Sequence, residues 1–211
     1  MADDLERLGG RLPLFKPDAL TAEQRRLYDD MSASWAPWAD KAGFQAKLPD
    51  GRWIGPFNPL LLSPVLSQAF LHLQNVEGKG TSLSERVRQV VILTVGAVWG
   101  CDYERYAHAA VAREAGLSSA AIEALSAGRA SEYLKGDDDV ARRFTRALTA
   151  EHRVNDALFE EARQTFKERG VLDLIILAGC YDLVSSLLNA FDIPDLICTG
   201  SRRLASDFNL R

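Results

Sequence analysis

The stretch LSERVRQVVILTVGAVWGCDYERYAHAAVAREAGLS, residues 83–118, decides how the rest of the chain is read. The second half of its opening segment, LSERVRQVVILTVGAVWG, is apolar nearly all round, the pattern of a helix enclosed on every side. Ser82, with Glu85 three residues on, reads as a capping box that opens this helix, and Gly100 stops it. A second helix is expected over residues 101–115, closed by Gly116. On it Cys101, Glu104 and His108 follow at steps of three and four, so all three project from one face. Glu104 reaches His108 directly, whereas Cys101 stands roughly 10 Å from it along the axis at about 1.5 Å per residue.

A carboxylate beside an imidazole is expected to fix its tautomer and raise its pKa, which keeps it available for proton transfer near neutral pH. The same spacing also suits an exposed surface pair worth about 0.2–0.5 kcal/mol. The residues by themselves leave both readings open.

Outward from this stretch the pattern stays helical. Thr21 caps a short helix carrying Leu27, Tyr28 and Met31, which Pro37 and Gly43 close. Residues 50–64, DGRWIGPFNPLLLSP, break into turns at Asp-Gly, Gly-Pro, Asn-Pro and Ser-Pro, forming a loop too apolar to stand in solvent. From Pro64 a helix offers Val65, Leu66, Ala69, Phe70 and Leu73 as one apolar stripe, with His72 among them as a structural histidine. Ser118, Asp138 or Asp139, and Asp156 begin three further helices. VLDLIILAGCYDLVSSLLNAF is a separate last one, ended by Asp192 and Pro194. Nothing alternates convincingly as a strand, so the class is all-α. The organisation expected is an N-terminal extension and loop, 1–63, packed on a helical domain, 64–211.

Composition bounds the function classes. The chain has 211 residues, 47% of them hydrophobic and 26% charged, and a net charge of -4. These values suit a globular domain, and the basic residues form no stripe of the kind nucleic acid requires. The opening MADDLERLGG has neither the basic start nor the apolar run of a secretory signal, and no stretch reads as long enough to cross a bilayer. The cytoplasm is the default location, with a small-molecule partner, no nucleic acid and no membrane. Cys101, Cys180 and Cys198 form no CxxC pair and are expected as free thiols. Three histidines, none near another, argue against a metal cluster.

Residues 84–118 resemble the carboxymuconolactone decarboxylase and alkylhydroperoxidase D-like superfamily. LDLIILAGCYDLVSSLLNAFDIP, residues 172–194, is similar to its closing helix, and residues 50–64 to a loop of its longer members. The resemblance implies an AhpD-like helical bundle, assembled as a homotrimer or as a hexamer built from trimers. In the hydroperoxidase branch the motif is CxxCxxxH with a Glu upstream. Here Cys101 and His108 match, Glu104 stands where the peroxide-reactive Cys belongs, and Gln89 stands at the upstream Glu. The decarboxylase branch has ExxxH, which Glu104 and His108 match. This implies a lyase acting on a small organic acid or lactone without metal or organic cofactor, with His108 as acid and Glu104 as its orienting partner. Gln89, Tyr103, Tyr181, Trp53 and Asn58 are the candidates for substrate contact. Two alternatives stay open: a thiol peroxidase using Cys101, and a non-catalytic small-ligand binder on the same scaffold.

Overall fold

In the computed structural model, which describes residues 5–130 and 132–194, the elements are helical throughout. Cys198 lies outside those residues. Among them the only β feature is an isolated bridge between Lys47 and Trp53. Contacts group the described residues into two units, one within residues 68–186, the other of residues 5–67 with 187–194.

In the first unit the helix expected from the apolar run is α4, Glu85–Trp99, following α3, Pro64–Gly80. Val87, Val90, Val91, Ile92, Leu93 and Val95 are all buried on α4, each contributing on the order of 1.5–3 kcal/mol by leaving water. Against α4 pack α5, Asp102–Glu114, α6, Ser119–Ser126, and α7, Asp137–Glu151. Gly100 ends α4 at φ 61°, a left-handed conformation that glycine adopts without a Cβ penalty, and the chain reverses directly into α5. Ser118 caps α6 by accepting from Ala121 N.

The cap of α4 is Ser84, whose side chain accepts from Val87 N, and not Ser82. Ser82 is drawn instead to Asp173, which accepts from both its backbone N–H and its hydroxyl at 2.7 Å. That releases the Glu85 side chain from the capping box expected of it.

The last helix, α8, runs Asp156–Ala190 with one residue out of helical geometry, Lys167 at φ 60° and ψ 173°. The expected break between two helices is therefore present, three residues before Gly170. By length and composition α8 is apolar enough to cross a membrane, contrary to the sequence expectation. Its apolarity is used within the unit: Leu174, Leu177 and Ala178 join the α4 core.

On α3 the sides are exchanged relative to expectation. Leu71 and Glu77 are buried, whereas Val65 and Leu66 are each 72% exposed and Leu73 and Val76 are exposed as well. His72 lies on the exposed side, so it is not a core histidine.

The second unit begins with two 3-10 turns, Arg7–Gly9 and Pro17–Ala19, before α1, Ala22–Ala42. Thr21 and Gln24 form both bonds of a capping box. Pro37 is accommodated within α1, and Gly43 is what terminates it. The turn series condenses around the short helix α2, Phe57–Leu60, and buries Trp53, Ile54, Leu60 and Leu61.

Candidate active site

Three side chains that the sequence set nineteen and four residues apart meet inside the first unit. Gln89 of α4, and Glu104 and His108 of α5, are 1%, 3% and 4% exposed. Gly96 permits the approach of the two helices, since a Cβ there would stand 3.2 Å from the Glu104 Cβ. The exposed-pair reading of Glu104 and His108 is thereby excluded.

The hydrogen-bond polarity of the site can be followed atom by atom. Gln89 Nε2 donates to Glu85 Oε1 at 2.6 Å, which turns Gln89 Oε1 toward His108 Nδ1 at 2.8 Å. An amide oxygen only accepts, so Nδ1 carries the imidazole proton and the lone pair is on Nε2. That lone pair faces Glu104 Oε2 at 3.5 Å. The tautomer is set by Gln89, not by the carboxylate as the sequence suggested.

Electrostatics also reverse the expectation. Burial pushes the Glu104 carboxyl up to about 8. Burial and, after it, the Arg88 charge push His108 down to about 3. Near pH 7 the pair is thus a neutral carboxylic acid beside a neutral imidazole, not an ion pair, because desolvation of two buried groups outweighs their mutual attraction. Arg88 is itself held charged: burial opposes this, but Glu77, accepting at 2.7 and 3.3 Å, and Glu85, accepting at 2.6 Å, prevail and raise its pKa.

Of the other candidates, Tyr181 stands edge-on to the imidazole with ring centroids 5.0 Å apart. Tyr103 is buried and its hydroxyl makes no hydrogen bond, and the same holds for Glu104 Oε2. Cys101 precedes α5 as its N-cap residue and is buried; desolvation first, then the Glu104 charge, push its thiol up to about 12. Trp53 and Asn58 belong to the other unit and are engaged there. Trp53 packs on Phe57 and Tyr28, while Asn58 accepts from Phe15 N at 3.0 Å and donates to Pro13 O at 3.2 Å. Within that unit Trp53 has a packing role and Asn58 a loop-tethering role.

Glu85 was missed as a site residue because the capping-box spacing accounted for it. The signal available was its i, i+4 relation to Gln89. Among the described residues no group of three His, Cys, Asp or Glu side chains is placed to hold a metal ion. A cavity of about 420 Å³, lined by Arg143, Arg146, Glu151, Asn155 and Glu161 among others, contains none of the site residues.

Residues 64–135 match the Carboxymuconolactone decarboxylase family. No curated protein sequence matches the chain. Among solved structures, it is similar to the alkylhydroperoxidase AhpD core of an uncharacterized peroxidase-related protein from Ralstonia eutropha JMP134, with 22% identity, 88% of this chain and 91% of that one covered, and a TM-score of 0.65. A peroxidase-related protein from Silicibacter sp. TM1040 shares 20% identity over 88% of this chain and 91% of its own, with a TM-score of 0.64. A debrominase in complex with 2,3,4-tribromopyrrole shares 13% over 87% and 92%, with a TM-score of 0.65. At these identities the likeness is one of fold.

Proposed function

Starting from the match of residues 64–135 to the Carboxymuconolactone decarboxylase family and the AhpD-like fold, we propose that the chain is an acid/base enzyme acting on a small organic acid or lactone. The reaction proposed is a decarboxylation or a related lyase step. The observation that carries this reading is the buried neutral pair, Glu104 and His108, 3.5 Å apart with the imidazole lone pair turned toward the acid.

In the decarboxylation the bond between the substrate carbon and its carboxylate breaks, CO₂ leaves, and the electron pair passes to the adjacent carbonyl as an enolate. Glu104, protonated at neutral pH, delivers its proton to carbon and is left as the carboxylate; His108 Nε2, facing it at 3.5 Å, takes up a proton from solvent and returns it to Glu104, so that one proton is consumed for each CO₂ released. A general acid of this kind contributes about 10²–10⁴-fold. Glu104 Oε2 and the Tyr103 hydroxyl, both buried without a hydrogen bond, are the groups a substrate oxygen would satisfy. These roles invert the sequence assignment, which made His108 the acid.

The peroxidase alternative requires a thiolate, and Cys101 is buried with its thiol pushed up to about 12. We propose a homo-oligomer, trimer or hexamer, on the support of the exposed apolar residues Leu172, Ile175 and Leu183 of α8 and Leu73 and Val76 of α3.

The test uses lactones and short keto acids labelled with ¹³C at the carboxyl group. The wild type is expected to release labelled CO₂, and His108→Ala to slow that release by about 100-fold or more. Full turnover in His108→Ala removes the proposal, tight binding with no release favours the non-catalytic reading, and a peroxide-dependent mass gain on Cys101 favours the peroxidase.

A further inference from the structure

The hydrogen-bond chain at the site continues beyond Gln89 to the surface, and its outer end determines its polarity. Glu85 is half exposed, at 51% of its side chain, and offers one oxygen to Gln89 Nε2 and the other to Arg88 Nη1, each at 2.6 Å. Arg88 is in turn gripped by Glu77, whose side chain is 5% exposed. The carboxylate of Glu85 is therefore held from one side and presents only acceptors to Gln89.

An amide is nearly symmetric in shape, and nothing in the Gln89 backbone prefers one orientation of its O and N. Facing Glu85, however, only the NH₂ group can make a bond; the reverse orientation would set two acceptor oxygens against each other and offer His108 a donor. We infer that Glu85 is a positioning residue: by fixing the Gln89 amide it forces His108 to carry its proton on Nδ1 and keeps the Nε2 lone pair directed at Glu104. The information passes through two hydrogen bonds from a half-exposed carboxylate to a fully buried imidazole. This role rests on the reading of His108 as the site's base for its functional importance, but the tautomer itself does not depend on turnover.

The arrangement also separates two duties. Arg88 orients Glu85, Glu85 orients Gln89, and Gln89 orients His108, so no ionised group has to touch the imidazole. A carboxylate directly on Nδ1 would select the same tautomer while favouring the imidazolium, and the neutral base would be lost. The amide transmits direction without charge.

The experiment is long-range ¹H–¹⁵N correlation NMR of the intact protein labelled with ¹⁵N-histidine, at neutral pH, with His108 assigned by its absence from His108→Ala. The wild type is expected to show a protonated-type shift at Nδ1 and an unprotonated-type shift at Nε2. In Glu85→Gln, where position 85 can both donate and accept, the Nδ1–H preference falls by about tenfold or more, the effect of losing a hydrogen bond to a charged group. In Gln89→Leu the same Glu85→Gln change has no further effect on the tautomer, as the intermediary is gone. A wild-type Nε2–H tautomer overturns the inference whether or not any variant folds. So does a folded Glu85→Gln protein that keeps the wild-type ratio. Conversely, if His108→Ala turns over normally while the tautomer responds to Glu85, the functional reading falls and the positioning device stands.

Discussion

Two regions were put forward by the sequence on similar grounds, aromatic and polar side chains in positions suited to a ligand, and they differ in what those side chains have left to bond with. Around α1 and α2, Asn58 has both ends of its amide committed to Pro13 O and Phe15 N, and the Trp53 ring is enclosed by Phe57 and Tyr28. Between α4 and α5, Glu104 Oε2 and the Tyr103 hydroxyl are buried with no hydrogen bond. Burial of a polar group costs about 1–3 kcal/mol unless it is bonded. The first region uses its polar groups to hold a loop; the second carries that cost unrelieved, the condition in which a ligand gains most by binding. Trp53 Nε1 is also buried and unbonded, so bonding capacity distinguishes the regions only when read together with a titratable partner.

The comparison breaks most visibly if the packing region is cut. Trp53→Ala is expected to cost about 3–5 kcal/mol, since a fully enclosed indole leaves a cavity that a short turn cannot close. Urea denaturation measures it, and a loss under about 1 kcal/mol would show that Trp53 is not the centre of its cluster.

The next largest effect is a pH dependence that only the second region can generate. Glu104 has its pKa raised in the folded state, to about 8, so its contribution to stability is fully present below the ordinary carboxylate value and is lost as pH rises through 8. His108 is lowered, to about 3, so its contribution is present above the ordinary histidine value and is lost as pH falls through 3. Between the two ordinary values the slopes oppose each other, so wild-type stability should decline from about pH 6.5 to about pH 8, by as much as about 1.4 kcal/mol per pH unit for the one proton involved, and level off above that. Glu104→Gln keeps the shape and removes the titration, and should flatten that limb. Equal slopes in the two proteins would mean that Glu104 does not hold its proton at neutral pH.

How much of this was legible beforehand follows the range of the interaction responsible. The helices of residues 85–114 are written in local pattern, and so is the common face of Glu104 and His108, because helical periodicity depends only on near neighbours. The His108 protonation state is not, because it turns on how completely α4 and α5 exclude water. Ser82 was assigned as a cap on spacing, but Asp173, ninety-one residues away, competes for it. The α3 stripe of Val65, Leu66 and Leu73 has helical period and yet is exposed; period identifies a face and does not say whether this chain or another covers it. Gln89 was offered as a neutral amide facing the same pocket, and the structure sets its oxygen 2.8 Å from His108 Nδ1. The part played by Glu85 needed the directions of two hydrogen bonds, which no spacing carries.

Asn58→Ala offers a smaller contrast. It leaves Phe15 N without its acceptor and should cost about 1–3 kcal/mol, seen as a lowered melting temperature with turnover per folded molecule unchanged. A specific loss of turnover would restore Asn58 to the list of substrate contacts.

The smallest change in stability is expected at Gly96, and there the two effects can be weighed. Alanine in a helix interior is favoured over glycine by about 1 kcal/mol. Against this, the new Cβ would stand 3.2 Å from the Glu104 Cβ, so α5 must yield by a few tenths of an ångström, and overpacking of this kind costs about 1–3 kcal/mol. The terms partly cancel, and Gly96→Ala should cost between about 0 and 2 kcal/mol of unfolding free energy. The displacement does not cancel. It moves Glu104 relative to an imidazole whose ring is held by Gln89, opening a contact that is already 3.5 Å. Because a misplacement of about 1 Å can cost 10²-fold, a shift of a few tenths should lower turnover by several-fold. A Gly96→Ala protein with wild-type turnover and lowered stability would assign the glycine to packing alone, and would detach the α4–α5 approach from the chemistry of the pair.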